Sequence, residues 1–120
     1  MTSQYRKRRG AETQRLTAAA WRGDGWPFCE DAGAGRNGKD LLGTPGLSVE
    51  IKARRDFSPL AWMKQAAGED GIPIVVMRPD GAGPASVDNW PAFIRHADLR
   101  RLLRLAGYGN PLEEPEADGA

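Results

Sequence analysis

The stretch Leu47-Ser48-Val49-Glu50-Ile51-Lys52-Ala53-Arg54 decides how this chain reads. Side chains two apart on a strand share a face. Leu47, Val49, Ile51 and Ala53 thus form an apolar face, and Ser48, Glu50, Lys52 and Arg54 a polar one. Just upstream, Thr44-Pro45-Gly46 has the residues of a tight turn, proline for a fixed φ and glycine for a positive one. Asp40 lies before that turn, next to the short apolar pair Leu41-Leu42, so reversal of the chain brings its carboxylate back toward Glu50. Two carboxylates and an ammonium at one point suit a hard divalent cation beside a phosphate. The same spacing also fits an amphipathic strand whose polar face is merely wet, and spacing alone does not separate the two.

Outward from this strand, periodicity and punctuation give an ordered set of elements. A helix is predicted over 12–23, with Leu16, Ala19, Ala20 and Trp21 inward and Gly23-Asp24-Gly25 as its stop. A short strand over 26–30 and a glycine-rich loop over 31–39 follow. After the strands at 41–42 and 47–53, Ser58 is read as the cap of a helix with Pro59 in its first turn, running to Gly68 and burying Leu60, Met63 and Ala67. The apolar run 72–77 reads as a strand buried on both faces. A loop over 79–88, a strand over 90–94 weakened by Pro91, and an amphipathic helix over 97–106 with Leu99, Leu102, Leu103 and Ala106 inward complete the chain. This order predicts an α/β fold, a mixed sheet of four or five strands flanked by helices. The chain of 120 residues supports one domain, placed at 11–109, with a flexible basic arm at 1–10 and a disordered acidic tail at 110–120.

The formal net charge is only +1, but residues 1–55 carry eleven Lys/Arg against six Asp/Glu, a net of +5. That asymmetry favours a polyanionic partner for the first half, with a solvated basic surface as the alternative. A single cysteine, Cys29, excludes an internal disulfide and a thiolate zinc site, and is read as a small buried hydrophobe. The lone histidine, His96, has no neighbours that would make a nucleophile triad. No apolar run approaches a membrane span, so a soluble, cytoplasmic protein is expected. Trp21, Trp26, Trp62 and Trp90 are assigned to the core or an interface rather than to base stacking.

At this point the stretch GKDLLGTPGLSVEIKARRDFSPLAWMKQA, residues 38–66, resembles the core of the PD-(D/E)xK nuclease superfamily, and most of all the small Holliday junction resolvase-like endonucleases, phage enzymes among them. The resemblance spans about residues 9 to 106 and is strongest over 38–66. It implies a restriction-endonuclease-like core and Mg²⁺-dependent hydrolysis of DNA, with Mn²⁺ as a substitute. It also implies branched substrates, products with 5′-phosphate and 3′-hydroxyl ends, and a homodimer. The matching positions are Asp40, Glu50 and Lys52, with Gln65 as the helical polar residue that completes the site. Asp40, Glu50 and the Ile51 carbonyl are the expected metal ligands. The acid expected on the first helix falls by counting on Gln14, and Glu12 lies two residues earlier, roughly 200° around a helix. Ala34 stands where resolvases carry a serine. These departures keep open a binding-only module on the same fold, and a restriction- or nicking-type nuclease remains a third reading. The expected DNA contacts are Arg6, Lys7, Arg8 and Arg9 of the arm, Arg15 of the first helix, Arg36 and Lys39 of the glycine-rich loop, and Arg54 and Arg55 after the strand. For the last two, an ion pair with Asp56 is the alternative.

Overall fold

A computed structural model describes residues 2–33 and 38–111. The expectations for Ala34, Arg36 and the acidic tail beyond Pro111 lie outside the described residues.

The basic stretch expected to be a mobile arm is helical. Helix α1 spans Ser3–Gly23, because Thr2 caps it by accepting from the Tyr5 amide at 3.0 Å and nothing from Ser3 onward breaks it. Its buried face also differs from the apolar periodicity. Thr13, Thr17 and Ala18 are buried, while Ala19 is exposed. The two threonine hydroxyls donate one turn back, Thr13 to the Arg9 carbonyl at 2.6 Å and Thr17 to the Thr13 carbonyl at 2.7 Å. With their polar atoms satisfied inside the helix, both pack as hydrophobes.

Among the described residues five strands follow: β1 Glu30–Asp31, β2 Leu41–Leu42, β3 Leu47–Lys52, β4 Ile72–Met77 and β5 Ala92–Ile94. They form two sheets rather than one. β1 pairs with β2 antiparallel, and β3, β4 and β5 form a mixed sheet in that order. β3 and β4 are parallel, with Glu50 opposite Val75 and Lys52 opposite Met77. A parallel pair needs a crossover, and helix α2, Pro59–Ala67, supplies it. The sheet is covered on both sides. Val49, Ile51 and Val76 join Ala18 of α1, Cys29, Leu41 and Trp90 in one cluster, and Val75 joins Trp62 and Ala66 of α2 in another.

Two helix faces depart from the sequence reading. In α2 the buried pair is Trp62 and Ala66, whereas Leu60 is 86 % exposed and Ala67 is exposed. The indole is the largest apolar surface in the helix, and turning it onto Phe93 and Phe57 fixes the rotation. Ser58 precedes α2 without a side-chain capping bond. Helix α3, His96–Leu105, buries none of its residues, and Leu99, Leu102 and Leu103 stay about two-fifths exposed. Among the described residues no helix is long and apolar enough to cross a membrane.

Candidate active site

The turn positions the site. Leu47 donates to the Thr44 carbonyl at 3.0 Å and Gly46 has φ +81°, closing Thr44–Leu47 as the glycine-dependent turn that the sequence predicts. The chain reverses so that Asp40 runs beside β3. The Asp40 amide donates to the Val49 carbonyl at 3.2 Å. Two residues further along β3 the Asp40 side chain takes over, and its Oδ2 accepts the Ile51 amide at 2.7 Å. A carboxylate thus occupies the place where a neighbouring strand would offer a backbone carbonyl. This substitution separates the two sheets, and it also locks the Asp40 carboxylate next to Glu50. N–H and C=O of one strand residue project to the same edge, so the Ile51 carbonyl opens on the Asp40 side as well.

The polar face of β3 is not wet. Ser48, Glu50 and Lys52 are 1 %, 3 % and 7 % exposed. Ser48 Oγ donates to the Ala66 carbonyl at 2.7 Å and so pins the end of α2 to the strand. That contact brings Gln65 over Lys52, whose Nζ donates to Gln65 Oε1 at 2.7 Å and sits 3.6 Å from Glu50 Oε2. Burial pushes the Glu50 carboxyl up to about 7 from an ordinary 4.5, and the charge of Asp40 adds to the rise. Lys52 pulls the other way, while a hydrogen bond with Asp40 favours the protonated acid. Asp40, Glu50, Lys52 and Gln65 therefore meet at one point that carries two carboxylates and one ammonium, with Glu50 and Lys52 buried, Asp40 half-buried and Gln65 at its exposed rim.

Glu12 is not at that point, a correction to its place in the expected catalytic set. Its Oε1 accepts from Arg78 Nη1 at 2.7 Å, because the buried guanidinium after β4 needs an anion and the Glu12 face of α1 supplies it. Gln14, two residues on, lines a cleft with Ile51, Ala53 and Arg54. Among the described residues no group of three or more His, Cys, Asp or Glu converges to hold a metal ion. The oxygens that face one another here are the Asp40–Glu50 carboxylates and the Ile51 carbonyl, the ligands expected from the sequence. They fit a cation that needs one or two protein carboxylates and keeps several waters, as Mg²⁺ does.

The expected DNA contacts divide. Arg6, Lys7 and Arg54 line the cleft that Gln14 shares, and Arg6, Arg54 and Arg55 line another beside it. Lys39 lies with Leu41 and Thr44, and Arg8 lies beside Glu12. Arg15 is exposed on α1. Arg9 is held inside the fold instead: Nη2 donates to the Pro79 carbonyl at 2.6 Å and Nη1 to the Ala82 carbonyl at 3.3 Å. Arg54 and Arg55 form no ion pair with Asp56. Sequence reading missed Ser48 as the pin for α2, and Arg78 as the partner that claims Glu12. The signal for Arg78 was a lone arginine directly after a wholly apolar strand.

Compared with known protein families, with curated proteins and with solved structures, the chain matches none.

Proposed function

We propose that this protein is a Mg²⁺-dependent DNA endonuclease of the PD-(D/E)xK type, acting on branched DNA in the manner of a Holliday junction resolvase. The observation that carries the reading is the meeting of Asp40 and Gln65 with the buried Glu50 and Lys52. Two carboxylates forced together, one of them buried, with only one ammonium between them, are a poor structural pair and a good cation seat. A divalent cation there, with Mn²⁺ replacing Mg²⁺, would supply an activated water and neutralise phosphoryl charge. Asp40, Glu50 and the Ile51 carbonyl would hold it. Lys52, aimed by Gln65, faces the phosphoryl oxygens and stabilises the charge that builds on them. The phosphodiester opens to leave a 5′-phosphate and a 3′-hydroxyl. Arg6, Lys7, Arg54 and Arg55 carry the sequence-independent grip on the backbone.

Symmetric cuts across a junction need two such sites, so a homodimer belongs to this reading. The half-exposed Leu99, Leu102 and Leu103 of α3 are an apolar stripe available to a second copy. A binding-only module is the second reading, and the engagement of Glu12 by Arg78, which leaves two carboxylates rather than three, favours it. Cleavage of four-way, flap and linear DNA decides between them. The nuclease reading expects Mg²⁺-dependent products that Asp40→Ala and Lys52→Ala each reduce at least about a hundredfold. Equal background from wild type and Asp40→Ala, with junction binding retained, leaves the binding module. Light scattering of the DNA complex tests the dimer.

A further inference from the structure

Where the chain leaves β3, a cleft of about 320 Å³ opens between the first turns of α1 and the segment after the strand. Arg6, Arg54 and Arg55 make it basic, as a phosphate track should be. Three other features do not fit a track for phosphate alone. Tyr5 lines the cleft, 47 % exposed and in neither core cluster. Asp56 and Asp80 line it too, and among the described residues neither is in an ion pair, although arginines share the cleft with them. Carboxylates repel phosphate, so a surface shaped only for a backbone gains nothing from them. Arg9, finally, is an immobilised wall whose guanidinium is tied to the Pro79 and Ala82 carbonyls.

An aromatic face, a fixed planar cation and two acceptor carboxylates are the chemistry of a nucleobase. Bases turned out of a helix stack on aromatic rings or guanidinium planes and are read along their edges. A carboxylate accepts from an exocyclic amino group, as it does from cytosine N4. The cleft is also near enough to serve the same strand, because two residues of chain span at most about 7 Å from Lys52 to Arg54.

We propose that this cleft holds one unstacked, amino-bearing nucleobase, with Tyr5 as its stacking face and Asp56 and Asp80 as its acceptors. The inference rests on the DNA-nuclease reading only for what brings a strand to the cleft, and it explains how this fold would favour branched over fully stacked DNA.

The test uses the full chain in EDTA, where binding is read without cutting. Fluorescence anisotropy is measured with labelled oligo-dC, oligo-dT and an abasic oligomer of equal length. Wild type is expected to bind oligo-dC about tenfold more tightly than the abasic strand. Tyr5→Ala is expected to erase most of that ratio while leaving abasic binding unchanged, and Tyr5→Phe to keep it. Asp56→Asn combined with Asp80→Asn, away from the helix start, is expected to bring oligo-dC and oligo-dT to equal affinity. The proposal is overturned by equal wild-type affinity for oligo-dC and the abasic strand, by Tyr5→Ala weakening both alike, by the double Asn variant leaving the dC preference intact, or by no binding at all. The nuclease reading fails separately. A protein that prefers oligo-dC yet yields no Mg²⁺-dependent products keeps the base cleft and loses the enzyme, and one that cuts junctions without base preference does the reverse.

Discussion

Among the described residues two ionic clusters centre on a buried charged side chain, Arg78 in one and Glu50 in the other, and they are built differently. Around Arg78 the charges balance. One guanidinium, 3 % exposed, meets the single carboxylate of Glu12 and also donates to the Thr13 hydroxyl at 3.2 Å and, through Nε, to the Ala82 carbonyl at 2.9 Å. Its Cζ lies over the Trp90 ring, 5.3 Å from the ring centroid. Around Glu50 the charges do not balance, for two carboxylates share one ammonium and the Glu50 acid is lifted to about 7. The lesson is that burial alone does not mark a functional site. A satisfied buried charge ties α1 to the end of β4, whereas an unsatisfied pair stores a demand that a bound cation would meet.

Breaking the balanced cluster should have the largest effect. Arg78→Ala leaves a void beside Trp90 and removes the hydrogen bonds to Glu12, Thr13 and the Ala82 carbonyl, while the Glu12 carboxylate, 41 % exposed, stays partly solvated, and the change is expected to cost about 3 kcal/mol in urea unfolding. A loss below about 1 kcal/mol would remove the brace from the account. The unbalanced cluster should respond with the opposite sign. An acid whose folded pKa lies above its unfolded value binds more protons when folded. Stability is therefore full below about 4.5 and falls as pH rises through about 7. Without divalent cations, Glu50→Gln is expected to flatten that decline and to gain up to about 3 kcal/mol at pH 8, read from unfolding curves across pH 4–9.

Smaller effects sharpen the contrast. Mg²⁺ or Mn²⁺ at about a hundred times its Kd should stabilise wild type by about 2.7 kcal/mol at pH 8, reversed by EDTA. Asp40→Asn and Glu50→Gln should each abolish that gain. Glu12→Gln should keep it, since Glu12 belongs to the other cluster; loss of the gain in that variant would bring Glu12 back to the metal. The smallest change is expected from Gln65→Ala, about 1 kcal/mol of stability for a half-exposed hydrogen bond to a charged group. Its larger consequence should be in turnover, because Lys52 loses its aim while the carboxylate pair is untouched.

Much of this was legible in the chain. The turn at Thr44-Pro45-Gly46, the strands at 41–42, 47–52 and 72–77, and both helices that flank the sheet follow from local punctuation and periodicity. What escaped did so for physical reasons. Thr13 and Thr17 read as polar, yet back-bonding to the helix lets them line the core. Leu60 reads as core, yet Trp62 decides which side of α2 meets the sheet. The first ten residues read as an arm because of their charge, yet Arg and Lys are good helix formers and Thr2 provides the cap.

By itself the sequence determined the α/β order, the glycine turn and the placing of Glu50 and Lys52 on one face, because those depend on residues within a few positions of each other. Only the tertiary structure decided that the polar face is buried, that the Asp40 side chain replaces a ladder partner of Ile51, and that Glu12 belongs to Arg78. Each of those outcomes is a competition among groups distant along the chain. It is settled by which buried charge or hydrogen-bonding atom finds a partner once the layers close.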